Sequence, residues 1–367
     1  MKTSVLLVSV TLKLTNPLSF DRAAEPVVIS LDNLPELRAA LTPARSAVVA
    51  HDGDKILPAQ ADDLDGDGIF DELVFFADLS ARETRTITLI ANPKLPPSTA
   101  EKKTATNPNG PGGFGWESNL IAYRTYCGRI DIFGKKKAAL ILHTPLDHYH
   151  READWGMDIF YIGPSVGLGG LLLWEGKRAI PVVNEAGQPE KVKITNRVIV
   201  DGPLRSVVEL KLKLQTPQGQ FDLTRRLAIY ADNPYMEEQL TITGGKGNEI
   251  IYSPGLIKID KGQFGQGQDG LTYIWNWGNQ NHPDTAGAEE ISLALLAPSA
   301  NVIGTDATEF DHILRCRTQS GVPQRQYLVA GWSKGLPQYK TAGSWSAYIA
   351  ALAQRLAAPV QWTREEK

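Results

Sequence analysis

Cysteine is nearly missing from this chain: only Cys127 and Cys316 occur in 367 residues. Two thiols cannot build a disulfide scaffold or a thiolate zinc site, although they suffice for one bridge in an oxidising compartment, and both are expected as buried thiols. No apolar run approaches the roughly 18–20 residues that cross a bilayer as a helix, so no membrane partner is expected. Neither sign of charge dominates. Lys and Arg number 38 against 41 Asp and Glu, a net charge of −3, which removes any broad electrostatic reason to bind nucleic acid. P-loops and dinucleotide fingerprints are absent as well. Gly167-Leu168-Gly169-Gly170 has neither the spacing nor the flanking βαβ pattern, so no organic cofactor is expected. Long helical periodicity is scarce, while Gly (33) and Pro (23) abound, as in many short strands joined by tight turns.

Alternating apolar runs are what the chain does have, and the expectation is an all-β protein. The start, Met1 to Val10, imitates a signal peptide, but Lys13 interrupts it and no small-x-small cleavage site follows. Read with period 2, Val8, Val10, Leu12 and Leu14 share one face of a first strand. Residues 1–92 then read as a small β-sandwich, and 93–115, carrying Pro93, Pro96, Pro97, Pro108 and Pro111, as an extended linker. Residues 116–367 read as a large two-sheet antiparallel sandwich, in which Val208, Leu210, Leu212 and Leu214 form one buried strand face and Phe221–Tyr230 returns as its hairpin partner. Only Ser344–Leu356 reads as helix, with Ser344 in capping position and Pro359 beyond its end.

Six carboxylates crowd into Asp62–Glu72. Asp63, Asp65 and Asp67 take positions 1, 3 and 5 of a D-x-D-x-D-G loop, Gly68 allows the sharp turn, and the Ile69 carbonyl takes position 7. Val74 stands where an EF-hand has its bidentate Glu, so Asp71 or Glu72 would close the shell. The expectation is a structural Ca²⁺ clamp; the plain alternative is an acidic hairpin turn.

The richest chemistry lies between Glu117 and Gly170. In strand geometry Ile130 and Ile132 face the core, while Arg129 and Asp131 line the opposite, open face. If extended, His148 and His150 share a face from which Tyr149 points away; His143 reads as a turn residue. A binding role is open to Arg124, Tyr126, Lys135, Trp155 and Asp158. The bland readings are a cross-strand Arg129–Asp131 salt bridge and core packing for Trp155 and Met157. His148 and His150 with Asp158 would also suit zinc or iron. Downstream, Tyr273, Trp275 and Trp277 alternate along one strand face, near Asn279, Asn281 and His282. Such rings stack on sugar C–H faces or, equally, fill a sandwich core.

Asp62–Phe75 (D-D-L-D-G-D-G-x-x-D-E-L-V-F), Gly128–Lys135 (G-R-x-D-x-F-G-K), Tyr149-His150, Trp155–Asp158 (W-G-M-D) and Gly163–Gly170 (G-x-S-x-G-x-G-G) together resemble a bacterial domain-of-unknown-function family found among polysaccharide-utilisation genes. The likeness runs from Asn16-Pro17 onward. One marine relative is similar to an ulvan-oligosaccharide dehydratase that makes a 4,5-unsaturated uronate. The resemblance implies β-elimination on an acidic oligosaccharide and a periplasmic or secreted location. For that chemistry a cation must neutralise the uronate carboxylate beside the developing carbanion, a role for Arg124, Arg129 or Lys135. A base must reach C5–H, His150 first and His148 second. Tyr149, Tyr123 or Tyr126 would protonate the departing oxygen, and Asp158 or Asp131 would orient a histidine or hold a hydroxyl. The rival readings are a non-catalytic carbohydrate-binding protein and a mutarotase-like or metal-dependent enzyme.

Overall fold

Period-2 alternation becomes strand throughout the computed structural model, which describes residues 7–42, 47–91, 100–144, 148–184, 191–280 and 290–365. Two compact units form. One comprises Met1–Thr104, Ile199–Ser206 and Ala358–Lys367; the other comprises Ala105–Val198 and Val207–Ala357. None of the described helices is long and apolar enough to cross a membrane.

The first unit holds β1 (Val8–Thr15), β2 (Arg22–Ser30), β3 (Val48–Asp52), β4 (Lys55–Asp62), β5 (Glu72–Leu79) and β6 (Thr84–Ala91), with a short helix α1 (Pro35–Ala40). The terminal strand Gln361–Arg364 joins them, giving the order β2-β5-β4-β3-β6-β1-terminal strand. β4 changes partner midway: Lys55–Pro58 pair with β3 and Ala59–Asp62 with β5. That shift turns one ladder into two layers around Leu12, Leu14, Ile29, Phe75, Ile87 and Leu89, all at most 1% exposed. As the alternation requires, Val10, Leu12 and Leu14 are buried and Val8 packs beside them. The turn at 199–206 belongs here because Arg205, 3% exposed, bonds Asp62 Oδ2 (2.7 Å) and Glu72 Oε2 (2.7 Å).

The second unit begins with β7 (Thr104–Gly110), β8 (Gly113–Ser118), β9 (Ile121–Tyr126), β10 (Arg129–Lys135), β11 (Gly156–Asp158), β12 (Leu168–Glu175) and β13 (Arg178–Pro181). There follow β14 (Val192–Asp201), β15 (Arg205–Thr216), β16 (Gly219–Tyr230), β17 (Tyr235–Gly244), β18 (Glu249–Ile257) and β19 (Gln263–Asp269). Last come β20 (Leu271–Asn279), β21 (Glu290–Pro298), β22 (Val302–Ala307), β23 (Asp311–Gln319), β24 (Gln324–Trp332) and helix α2 (Ala342–Ala357). They form three sheets: β11-β10-β9-β8-β7, β13-β12-β18-β23-β22 and β14-β15-β16-β17-β24-β21-β20-β19. One core joins all three, drawing Ile130 and Ile132 from the first, Leu171 and Leu314 from the second, and Leu210, Leu212 and Leu295 from the third. The architecture is therefore the all-β antiparallel sandwich expected, with a smaller sandwich before it and a helix near its end.

Three local expectations are corrected. Part of the expected linker is strand, since β7 lies within it and β8 begins before its end. β7 sits at the edge of its sheet, where Pro108 deprives no ladder partner of a hydrogen bond. Thr341, not Ser344, caps α2: its Oγ1 accepts from Ser344 N (3.1 Å) while Ser344 Oγ accepts from Thr341 N (3.2 Å), a reciprocal capping box. Of the two cysteines, both free, Cys316 is buried but Cys127 is exposed. It occupies a left-handed position (φ 53°) in the turn between β9 and β10.

Candidate functional site

The β9–β10 hairpin builds the site. Its two-residue turn, Cys127-Gly128 (φ 53° and 87°), has the positive φ values that match strand twist. The turn sets the register Tyr126↔Arg129, Thr125↔Ile130, Arg124↔Asp131 and Tyr123↔Ile132. Side chains therefore segregate by parity. Thr125, Ile130, Tyr123 and Ile132 share the core face, while Arg124, Tyr126, Arg129 and Asp131 share the other and line a cleft of about 280 Å³. Tyr149, His150 and Asp158 line it too, and Phe160, Tyr161, Ile162 and Gly163 complete it.

Arg124 sits at the centre of the polar network. Its Nε and Nη2 donate to Asp131 Oδ2 (2.7 and 2.6 Å), and Nη2 also reaches Asp158 Oδ2 (2.8 Å). The guanidinium lies 4.9 Å from the Phe133 ring centre and 5.0 Å from that of Tyr149. Burial, and for Asp131 also the neighbouring Asp158 charge, pushes both carboxyls up, Asp131 to about 7 and Asp158 to about 6. One cation thus faces two carboxyl groups that are reluctant to ionise together. His150 Nδ1 stands 3.4 Å from Asp158 Oδ2, and the half-exposed imidazole opens on the cleft. Arg129 is held differently. Its Nε donates to Ser165 O (2.9 Å) and its Nη1 to Asn184 O (2.8 Å), with no carboxylate at ion-pair distance among the described residues.

Several residues anticipated for the site are placed elsewhere. Tyr123 is fully buried, its hydroxyl donating to Pro234 O (2.8 Å), and burial drives its phenol well above the usual range. Its parity with Ile132 already assigns it to the core. Lys135 lies past Phe133 and is sealed in, donating to Glu117 Oε2 (2.5 Å), Ser118 O (2.6 Å) and Ala139 O (2.7 Å); burial lowers it to about 8. Trp155 packs against Phe133 at 6.2 Å, outside the cleft lining. His148 and His150 do not share a strand face, because the chain turns there: His148 is exposed at φ 53° and its carbonyl accepts from Arg151 N (2.7 Å). The expected His148–His150–Asp158 metal set consequently does not converge. His143 is a turn residue, bonded through Nε2 to Thr106 O (2.8 Å). Trp275, Trp277 and Tyr273 also stand outside the cleft lining. Gly265 and Gly267 pair across from Trp275 and Tyr273, and a Cβ on either glycine would come within 2.4 Å of the opposing ring atoms or hydroxyl. Trp277 Nε1 donates to Tyr339 O (2.9 Å). Asn281 and His282 lie outside the described residues.

Composition and spacing overlooked the far wall, Phe160–Gly163. Its only signal is its place directly after W-G-M-D. Gln280 pins it, accepting from Tyr161 N (3.1 Å) and donating to Tyr161 O (2.5 Å). Gly112 was overlooked too: at φ 70°, a Cβ there would stand 2.0 Å from Arg124 Nη1.

In the first unit, carboxylate oxygens of Asp63, Asp65 and Asp71 come within 4.8 Å of one another, the one such His/Cys/Asp/Glu group among the described residues. Asp67 instead accepts from Ile69 N (2.7 Å), and Glu72 is engaged by Arg205. Asp63 accepts from Gly66 N (2.7 Å) and Gly68 N (2.8 Å), closing the turn.

Several solved structures share the fold, among them two from Enterococcus faecalis. A protein in the glycosyl hydrolase family 38 from Enterococcus faecalis aligns with TM-score 0.55 at 10% identity, over 98% of this chain and 47% of that one. An alpha-mannosidase from Enterococcus faecalis V583 aligns with TM-score 0.56 at 11% identity, over 100% of this chain and 47% of that one. The chain thus spans about half the length of each. No curated protein matches. The model of the family described as "Domain of unknown function (DUF4861)" matches residues 14–361, and the chain belongs to that family.

Proposed function

We propose that this protein acts on carbohydrate and that its cleft carries out β-elimination on a uronate-containing oligosaccharide. The observation that carries the reading is the pairing, in one cleft, of an imidazole whose Nδ1 lies 3.4 Å from a carboxylate oxygen with a buried guanidinium that has no carboxylate at ion-pair distance among the described residues. Arg129 would receive the C6 carboxylate and so stabilise the carbanion-like transition state. His150, oriented by Asp158, would take the C5 proton; the electron pair forms the C4–C5 double bond as the C4–O bond breaks. Tyr149, beside His150 at 4.4 Å between ring centres, would protonate the departing oxygen. The products are the 4,5-unsaturated uronate and an alcohol, or water when the C4 group is a hydroxyl. Arg124, saturated by its two carboxyls, would hold the frame and Asp131 its charge balance. The fold neighbours are named for a glycosyl hydrolase family and an alpha-mannosidase, which agrees with a sugar ligand and contributes no residue.

Uronate oligosaccharides incubated with the protein should develop the ultraviolet absorbance of a conjugated carboxylate, and this signal should vanish in Arg129→Gln. Tyr126 and Tyr161, 53% and 42% exposed at the rim, favour a second reading, a binding protein that stacks sugar on these rings; binding without any product would replace the first reading with it.

The same proposal gives the Asp63–Asp65–Asp71 triad a structural Ca²⁺. Excess Ca²⁺ should raise the melting temperature, stabilising the fold by up to about 2.7 kcal/mol at a hundredfold excess over Kd, and chelator should reverse this; identical melts in both would remove the ion.

A further inference from the structure

The glycine-rich stretch Gly163–Gly170 seats one peptide with little freedom. A Cβ on Gly170 would come within 2.0 Å of Val166 O, and one on Gly255 within 2.3 Å of Val166 Cγ2. The peptide joining Ser165 to Val166 lies between two buried charges. Its carbonyl accepts from Arg129 Nε (2.9 Å), and its N–H donates to Asp311 Oδ1 (3.1 Å). Arg129 is 7% exposed and Asp311 3%. The peptide dipole thus has its negative end on the guanidinium and its positive end on the carboxylate, so each bond polarises the other. Asp311 opens β23, and pairing with Ile257 on β18 holds it. Thr308 Oγ1 accepts from its N–H (3.0 Å) and approaches its Oδ2 (3.4 Å).

Arg124 supplies the contrast, since two carboxyl groups touch it directly. Arg129 has its counter-charge one peptide away: near enough to support a buried cation, too far to neutralise it by contact. We propose that Asp311 is the positioning residue of an anion-receiving site, aiming Arg129 through the Ser165–Val166 peptide and leaving the guanidinium's charge available to a substrate carboxylate. This rests on the reading of Arg129 given above. It also gives the glycine-rich motif a purpose, because only a tightly packed loop keeps the relaying peptide in line. Burial pushes the Asp311 carboxyl up to about 6, against the Val166 N–H, which leaves it ionised at neutral pH.

The test compares binding of a glucuronate-terminated oligosaccharide with that of its carboxyl-reduced, neutral counterpart, by calorimetry at pH 7.5. Within each variant the neutral ligand reports on folding and the ratio of affinities on the anion site. Asp311→Asn, which can still accept from Val166 N, should reduce the acid-to-neutral preference about tenfold. Asp311→Ala should reduce it further, and because Arg129 also steadies the carbanion-like transition state, kcat should fall together with the rise in KM in both. Should the Asp311 variants not fold, Gly255→Ala, whose Cβ would stand 2.3 Å from Val166 Cγ2 and 3.6 Å from Asp311 Cβ, crowds the same loop while keeping both charged groups and should also lower the ratio. An unchanged ratio in these variants, while Arg129→Gln lowers it, overturns the role of Asp311 alone. An unchanged ratio in Arg129→Gln overturns the carboxylate receptor and this proposal together.

Discussion

Two strand pairs of the larger unit have the same pattern and opposite fates. β9–β10 alternates Arg124, Tyr126, Arg129 and Asp131 with core residues, and its polar face lines the cleft. β19–β20 alternates Tyr273, Trp275 and Trp277 with Ile274 and Asn276, yet its aromatic face is largely covered, with Tyr273 buried and Trp275 and Trp277 half-buried. Gly265 and Gly267 lie across from the rings, and α2 packs on both strands. Both faces could have served a sugar by residue type. The difference lies in what crosses above them. Over β9–β10 pass a turn with Gly112 and a loop with Gly163, leaving a cavity; over β19–β20 a whole helix, with Trp345 fully buried, fills the space. A face becomes a site only where the covering layer is withheld.

Swapping damage between the two regions tests this difference most strongly. His150→Ala should lower turnover about 10²–10⁴-fold, the range for losing a general base, with the thermal melt unmoved. A variant retaining full turnover would sever the cleft from the chemistry.

Trp275→Ala should do the reverse, costing about 1–2 kcal/mol of stability by removing the contact of a half-buried ring while the Kd for sugar stays constant in the folded fraction. Weaker sugar binding in a variant with a wild-type denaturation midpoint would make β20 a binding face after all.

A smaller effect comes from pH. Asp131 and Asp158 have folded-state pKa values raised to about 7 and 6, above an unfolded value near 3.9. The folded protein therefore binds these protons more tightly than the unfolded chain. Their contribution to stability is complete below about pH 4 and is lost as pH rises through 6–7. Activity should run the other way, because protonating Asp158 removes the charge that orients His150, at up to about tenfold per pH unit. Opposite slopes between pH 5 and 8, both flattened in Asp158→Asn, are expected; parallel slopes would show that the buried pair does not govern the cleft.

Strand parity carried much of the architecture. Val10, Leu12 and Leu14, Ile130 and Ile132, and Val208 to Leu214 are buried as their alternation demands, because a strand offers only two faces. The same rule, applied one strand further, would have moved Tyr123 into the core. Other site residues were illegible for definite reasons. Lys135 has the parity of Arg129 and Asp131, but strand β8, 18 residues upstream of it in the chain, supplies Glu117 to bury it. His148 was expected extended, yet a left-handed residue breaks the strand there. Asp311 lies 182 positions beyond Arg129, and nothing local in either segment announces that one peptide links them.

Composition and alternation alone were enough for an antiparallel β protein without nucleotide motifs, and for the face on which Arg129 and Asp131 emerge, since those follow from backbone geometry repeated residue by residue. Which emergent face stays open, which cation is neutralised by contact and which through a peptide, and which acidic residues converge were decided only by packing between distant segments. Burial and charge separation are properties of the space around a residue, and that space is furnished by chain remote from it.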